Sequence, residues 1–217
     1  SPKLQAVIFD LDGVIVDTAR YHYLAWKKIA DDEGICFDES INERLKGISR
    51  MDSLKIIMEK ANREYSPSEL KELSERKNQI YIDFLDEIKP SDIFEGIKEL
   101  ITELHEKKIK TAICSASKNT RKVLARLEFE KLFDEVVMGD HVTKSKPSPE
   151  GMLLAAEKLN VAPENCVVIE DAFSGIQAAK AAGMKSIGIG DKMLLHNADY
   201  TLPKTRYVTI KTIKNLF

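Results

Sequence analysis

Two aspartates one residue apart, Asp10 and Asp12, close a short apolar run in the stretch "VIFDLDGVIVDT", residues 7–18. An apolar strand gains nothing from charge at its tip, and Asp is depleted from strands, so the pair calls for a reason other than packing. In extended chain the side chains at i and i+2 point the same way, so both carboxylates could face one ligand. Three further polar sets also follow apolar runs: "SASKN" at 115–119, Lys146 in a longer loop, and the pair Glu170 and Asp171. Taken singly, each has an ordinary reading as a turn, a helix cap or a solvated charge. Taken together, three or four converging carboxylates would repel one another and raise their own pKa values, and a hard cation with oxygen ligands relieves that repulsion. Mg²⁺ suits such a set. With Lys146 and the Ser115 hydroxyl beside it, the site reads as a phosphate site rather than an all-protein metal cage.

The elements that must position these residues follow from hydrophobic rhythm. Apolar β-type runs at 7–9, 111–114, 135–137, 167–169 and 186–189 alternate with helical patterns at 97–104, 121–127, 152–159 and 175–182. That alternation predicts an α/β fold with a parallel, Rossmann-like sheet, and ligands of such sheets bind beyond the carboxyl ends of the strands. All four polar sets fall there. Residues 18–88 lack a convincing strand and repeat helix signals instead, with Leu54, Ile57, Met58 and Ala61 on one face and Leu70, Leu73, Lys77, Ile80, Tyr81 and Phe84 on another. Ser49 precedes Asp52 by three, and Ser66 precedes Glu69 by three with Pro67 between, both helix-start signatures. The chain therefore divides into an α/β core of residues 1–16 and 89–217 and an inserted helical cap of 17–88. Lys89, Pro90 and Ser91 form the hinge on the return.

Composition removes several classes of function. The 217 residues are 43% hydrophobic and 31% charged, enough to bury one substantial core or two unequal ones. The formal charge of −2 and basic clusters without interleaved aromatics argue against nucleic acid as a partner. Apolar stretches are too short to span a membrane, and the first residues lack the apolar centre of a signal peptide. Cys36, Cys114 and Cys166 are odd in number and form no CxxC pair, which fits a reducing cytoplasm.

The motifs Phe9-Asp10-Leu11-Asp12-Gly13-Val14, Cys114-Ser115-Ala116-Ser117, Lys146-Pro147 and Ile169-Glu170-Asp171-Ala172-Phe173-Ser174-Gly175, in this order, closely resemble the four motifs of the haloacid dehalogenase-like phosphotransferases. The resemblance covers nearly the whole chain. It is loose only in "VMGDHVTKSK" before Pro147 and from Leu194 onward, where a final helix is expected over 209–216. Within that superfamily the chain looks most like the mutases that interconvert β-D-glucose 1-phosphate and glucose 6-phosphate through β-glucose 1,6-bisphosphate. That narrower likeness rests on Thr18, His22 and Trp26 in "DTARYHYLAW", on "KGISR" with Lys46, Gly47 and Arg50, on Ser53, on Lys77 in "ERKN", and on Ala116, Ser117 and Asn119 in "SASKN".

The resemblance implies a role for each position. Asp10 is the nucleophile that becomes an aspartyl phosphate, and Asp12 is the general acid and base, oriented by His22. Asp10, Glu170, Asp171 and the backbone carbonyl of Asp12 hold Mg²⁺, while Lys146 and Ser115 balance charge on the phosphoryl oxygens. Arg50 and Lys77 grip the phosphate that is not reacting. Read without the resemblance, His22 and Trp26 are equally a packed histidine and a core aromatic. A Mg²⁺-dependent sugar-phosphate phosphatase is the second reading, and a non-catalytic phosphate-binding module the third, weakened by the absence of GxGxxG and GKS/GKT loops. The expected partner is a small sugar phosphate, with no nucleic acid and no membrane, and the chain is expected to act as a monomer.

Overall fold

The computed structural model describes residues 1–217. Strand β1 (Ala6–Phe9) is wholly buried and is followed by four helices in succession: α1 (Ala19–Glu33), α2 (Glu39–Glu43), α3 (Arg50–Met58) and α4 (Pro67–Leu85). The chain then alternates through α5 (Ile97–Glu106), β2 (Lys110–Cys114), α6 (Thr120–Leu127), β3 (Glu135–Val137), α7 (Glu150–Leu159), β4 (Cys166–Glu170), α8 (Phe173–Ala181) and β5 (Lys185–Ile189). It ends with β6 (Tyr200–Leu202) and α9 (Ile210–Lys214). All strands pair in parallel in the order β3-β2-β1-β4-β5-β6, with β1 between β2 and β4. This is the predicted Rossmann-like sheet with an inserted helical cap.

The strand residues sort by period two. Val7, Phe9, Ile113, Val167 and Ile169 join a large core with the apolar faces of α5 and α6, while Ala6, Ile8, Ala112 and Val168 pack on the small and flexible residues of α7 and α8, among them Met152, Ala155 and Ala178. A parallel sheet covered by helices on both faces needs such strands, apolar on both sides. The helical insertion has a core of its own, built from Trp26, Ile29, Leu54, Ile57 and Leu73.

Several sequence expectations are adjusted. β4 runs one residue further than predicted, so Glu170 is its last residue rather than the first after it. The final helix is shorter than 209–216, with Thr209 as its cap, and Ala61 lies beyond the end of α3. β6 was not anticipated; it is a three-residue edge strand whose Tyr200 is half exposed, so no apolar run announces it. The return at Lys89, Pro90 and Ser91 is a 3-10 turn, Pro90–Asp92, with the Lys89 N–H donating to the Asp92 carboxylate at 3.0 Å. Ser66, Pro67 and Glu69 form the full capping box that their spacing suggests. No helix is long and apolar enough to cross a membrane.

Candidate active site

The carboxyl ends of β1, β2 and β4 lie side by side, and the polar residues of all three converge beyond them. One carboxylate oxygen each from Asp10, Glu170 and Asp171 falls within 4.8 Å of the others. Asp10 is held by its N–H, which donates to the Ile169 carbonyl at 3.0 Å and continues the β1–β4 ladder one residue past the strand. Glu170 is fully buried, and its Oε1 accepts from the N–H groups of Asp171 and Ala172 at 3.0 and 3.2 Å. Lys146 crosses from the loop after β3, placing Nζ 2.8 Å from Glu170 Oε2, 3.4 Å from Asp10 Oδ1 and 3.0 Å from the Cys114 carbonyl oxygen. The Lys146–Pro147 peptide is cis.

Burial sets the electrostatics. Desolvation, then the neighbouring Glu170, pushes the Asp10 carboxyl well above its usual range, and the same two causes lift Asp171 to about 8. Lys146 goes further into its charged form, because Asp10 and Glu170 outweigh the cost of burying it. Ionising all three carboxylates against one lysine would leave excess negative charge, and a divalent cation with oxygen ligands matches that donor set. Two glycines make the approach possible. A Cβ on Gly13, whose φ is +81°, would collide with the Asp171 carboxylate, and one on Gly175 would collide with Glu170.

Asp12 departs from the sequence expectation. Its carboxylate does not join the three-carboxylate cluster; it turns toward α1, where Thr18 Oγ1 donates to Oδ1 and His22 Nε2 lies 3.4 Å away. Asp10 and Asp12 still line one cavity, as the i, i+2 spacing predicts, but β1 stops at Phe9 and the chain turns at Gly13, so the Asp12 carboxylate lies outside the acidic cluster. Burial works against the Asp12 charge, but His22 and Thr18 outweigh it and hold the carboxyl below its usual range. Adjacent carboxylates are thus pushed in opposite directions, the pattern expected of a pair with different chemical duties.

The cap supplies the opposite wall. A cavity of about 400 Å³ lies between Asp10 and Asp12 on the core side and His22, Trp26, Arg50, Ser53 and Lys77 on the cap side, with Lys46 and Gly47 at its edge and Ala116, Ser117 and Asn119 from the loop after β2. Trp26 lines the cavity and also packs in the cap core. Lys77 is buried, with Nζ 2.8 Å from His22 Nδ1 and 5.0 Å from the ring centres of Trp26 and Tyr81. Burial, with Arg50 nearby, lowers its pKa to about 7. Arg50 makes no salt bridge, although Glu75 lies near enough to favour its charge, and it donates to the Ser74 carbonyl at 3.3 Å. Ser115 is buried and does not itself line the cavity; its hydroxyl accepts from the N–H of Ser117, which does, at 3.2 Å. Asn119 Nδ2 donates to Asn78 Oδ1 on α4 at 2.8 Å, joining core to cap across the cavity. A larger groove of about 1170 Å³ reaches Asp171, Lys146 and Gly13 from the side of α8 and β5.

A family model described as haloacid dehalogenase-like hydrolase matches residues 7–189. The chain belongs to this family. Among haloacid dehalogenase-like relatives it is 42% identical to the β-phosphoglucomutase of Bacillus subtilis, over 97% of this chain and 94% of that protein. It is 36% identical to the phosphorylated carbohydrates phosphatase of Thermotoga maritima, over 85% of this chain and 84% of that protein. Its structure is similar to that of β-phosphoglucomutase from Clostridium difficile, with a TM-score of 0.93 and 42% identity over 98% of this chain and 96% of the other.

Within this haloacid dehalogenase-like fold, sequence reasoning gives no site role to four residues that the structure brings to the site or its rim. Tyr81 was read as core, yet its ring stacks on His22 with centroids 3.9 Å apart. Asn78 was passed over, although it faces Asn119. Ser145 carries no signal beyond its adjacency to Lys146, and Ser174, though inside the Ile169–Gly175 motif, has no role assigned by it.

Proposed function

We propose that this protein is a phosphomutase interconverting β-D-glucose 1-phosphate and glucose 6-phosphate through an aspartyl-phosphate enzyme and β-glucose 1,6-bisphosphate. The observation that carries this reading is a cavity with charged groups on two sides: Asp10, backed by Lys146 at 3.4 Å, on the core wall, and Arg50, which makes no salt bridge, with Lys77 on the cap wall. A phosphatase needs one phosphate site, whereas a bisphosphate needs two. The similarity to β-phosphoglucomutases over nearly the whole chain supports the same choice of sugar. Residues 1–16 and 89–217 are the core in this reading, and 17–88 the cap.

Asp10 carries the phosphoryl group. When glucose 1-phosphate is bound with its other end at Arg50 and Lys77, Asp12 takes the proton of the 6-hydroxyl as that oxygen attacks phosphorus and the bond to Asp10 breaks. The bisphosphate then presents its other end. Asp10 attacks the phosphorus at C1, and Asp12 returns the proton to the departing sugar oxygen, which restores the phosphoenzyme and releases glucose 6-phosphate. His22, with Lys77 on Nδ1, carries its proton on Nε2 and donates toward Asp12, holding that carboxylate in position. Lys146 and Ser115 offset charge on the phosphoryl oxygens. The carboxylates of Asp10, Glu170 and Asp171 with the Asp12 carbonyl suit Mg²⁺, which when bound neutralises charge between carboxylate and phosphate. The enzyme works as a cytoplasmic monomer on a soluble sugar phosphate.

The second reading, a sugar-phosphate phosphatase, keeps the first displacement and replaces the sugar hydroxyl with water; the likeness to the Thermotoga phosphatase favours it. Supplying β-glucose 1-phosphate, Mg²⁺ and a trace of the bisphosphate, and measuring glucose 6-phosphate and inorganic phosphate separately, separates the two. The mutase yields glucose 6-phosphate with little free phosphate. Stoichiometric phosphate release would defeat the proposal.

A further inference from the structure

The cap loop joining α2 to α3 is held onto the core by two serine hydroxyls, one at each end. Ser174 Oγ donates to the Lys46 carbonyl at 2.7 Å, and Ser145 Oγ accepts from the Ser49 N–H at 3.1 Å. Between them Gly47, in the left-handed region at φ +77°, lies so near the core that a Cβ would be 2.8 Å from Ser174 Oγ and 3.4 Å from Lys146 Cδ. Any other residue there would push the hydroxyl off the Lys46 carbonyl. Ser145 directly precedes Lys146, and Ser174 follows Asp171 by three, so both hydroxyls ride on segments that carry charged groups of the site. The loop they hold carries Lys46 and leads into Arg50.

The N-terminus of α3 shows how this contact can be reversible. Ser49 caps the helix by accepting from the Asp52 N–H at 3.2 Å, and its spacing to Asp52 predicts the reciprocal bond from the Ser49 N–H to the Asp52 carboxylate. That bond is not made. Ser145 is interposed, accepting from the Ser49 N–H and donating to Asp52 Oδ2 at 3.4 Å. When the cap swings away, Asp52 is positioned to take the Ser49 N–H itself, so opening exchanges one capping arrangement for another and strands no donor.

We propose that Ser145 and Ser174 are positioning residues, a two-point clasp that holds the cap loop closed during transfer and so favours a sugar hydroxyl over water at the aspartyl phosphate. The role in partition rests on the mutase reading; the clasp itself does not. Each hydroxyl contributes an ordinary hydrogen bond, so removing one lowers the closed-to-open ratio roughly two- to twelvefold.

The test uses Ser145→Ala, Ser174→Ala, their combination, and Ser145→Thr, which keeps a hydroxyl. Spin labels at Lys60→Cys and Lys122→Cys, both exposed and on cap and core respectively, with Cys36→Ser to remove the exposed native thiol, report the cap-to-core distance without turnover. Expected are a longer, broader distance distribution in the alanine variants, restored in Ser145→Thr, and a rise of roughly two- to twelvefold in phosphate released per glucose 6-phosphate formed. Unchanged distances in both alanine variants overturn the clasp. Altered distances with an unchanged product ratio, in an enzyme whose parent forms glucose 6-phosphate, overturn its role in partition. A parent that forms none removes the mutase reading and leaves the distance result to decide the clasp.

Discussion

Lys77 Nζ lies 2.8 Å from Nδ1 of His22, in a wall of the cavity where burial lowers the lysine pKa to about 7. An ammonium so placed costs stability. Between about pH 7 and the ordinary lysine value, the unfolded chain holds this proton and the folded chain does not, so stability rises with pH across that window. Lys77→Met should remove that rise and increase stability at pH 6 by about 1–4 kcal/mol, as replacement of buried charge by matched apolar volume does. The same variant should lose turnover. Denaturant titrations at pH 6 and 9 with steady-state rates check both; a less stable variant at pH 6 would show the charge to be well solvated by the fold.

Asp10 and Asp12 are one residue apart and serve different ends. Asp10→Ala should leave the protein folded and abolish turnover and the acid-stable, hydroxylamine-sensitive label formed from phosphorylated sugar. Asp12→Ala should reduce turnover roughly 10²–10⁴-fold with little change in metal affinity, since its carboxylate stands outside the acidic cluster. Calorimetry decides the second point: a large loss of Mg²⁺ affinity would make that side chain a ligand.

Desolvation and Glu170 lift Asp171 to about 8, so at pH 7 the cluster without metal retains a proton that an incoming cation must displace. Apparent Mg²⁺ affinity should therefore rise with pH through neutrality, as Asp171 and the likewise raised Asp10 lose their protons. Titration calorimetry at pH 7 in two buffers of different ionisation enthalpy should show net proton release, since Asp10 as well as Asp171 is raised. Equal heats in both buffers would contradict the prediction.

Arg50 is the first residue of α3, makes no salt bridge and lines the cavity. If it holds the remote phosphate, Arg50→Ala removes a charge-assisted contact worth about 1.5–3 kcal/mol, roughly ten- to 200-fold in mutase turnover. Hydrolysis by water needs no second phosphate and should fall far less, so phosphate released per glucose 6-phosphate should rise. An unchanged ratio at normal turnover would reduce Arg50 to a surface cation.

The parts of this site that could be read in advance are those attached to strand ends. Asp10, Lys146, Glu170 and Asp171 follow apolar runs, and a parallel sheet aligns the ends of its strands, so placing the strands locates the charges. Side-chain direction was less legible. The Asp12 carboxylate turns away because Thr18 and His22, on a helix whose docking the local pattern does not encode, provide its partners. Tyr81 looked like core because it is core; its stacking on His22 depends on how α4 lies against α1. Ser145 and Asp52 are 93 residues apart, and no local rule links them.

The position of β1 has a consequence for synthesis. It is made before its partners and is central in the sheet, but its neighbours β2 and β4 pair with it from residues 110 and 166 onward, after the whole helical insertion. At roughly 5–20 residues per second, the Ala6–Phe9 strand waits on the order of 5–20 s for its first partner, with both apolar faces and both edges open. Nascent chains stalled before residue 110 should accordingly engage chaperones through their N-terminal segment, while the helices that follow have already packed on one another.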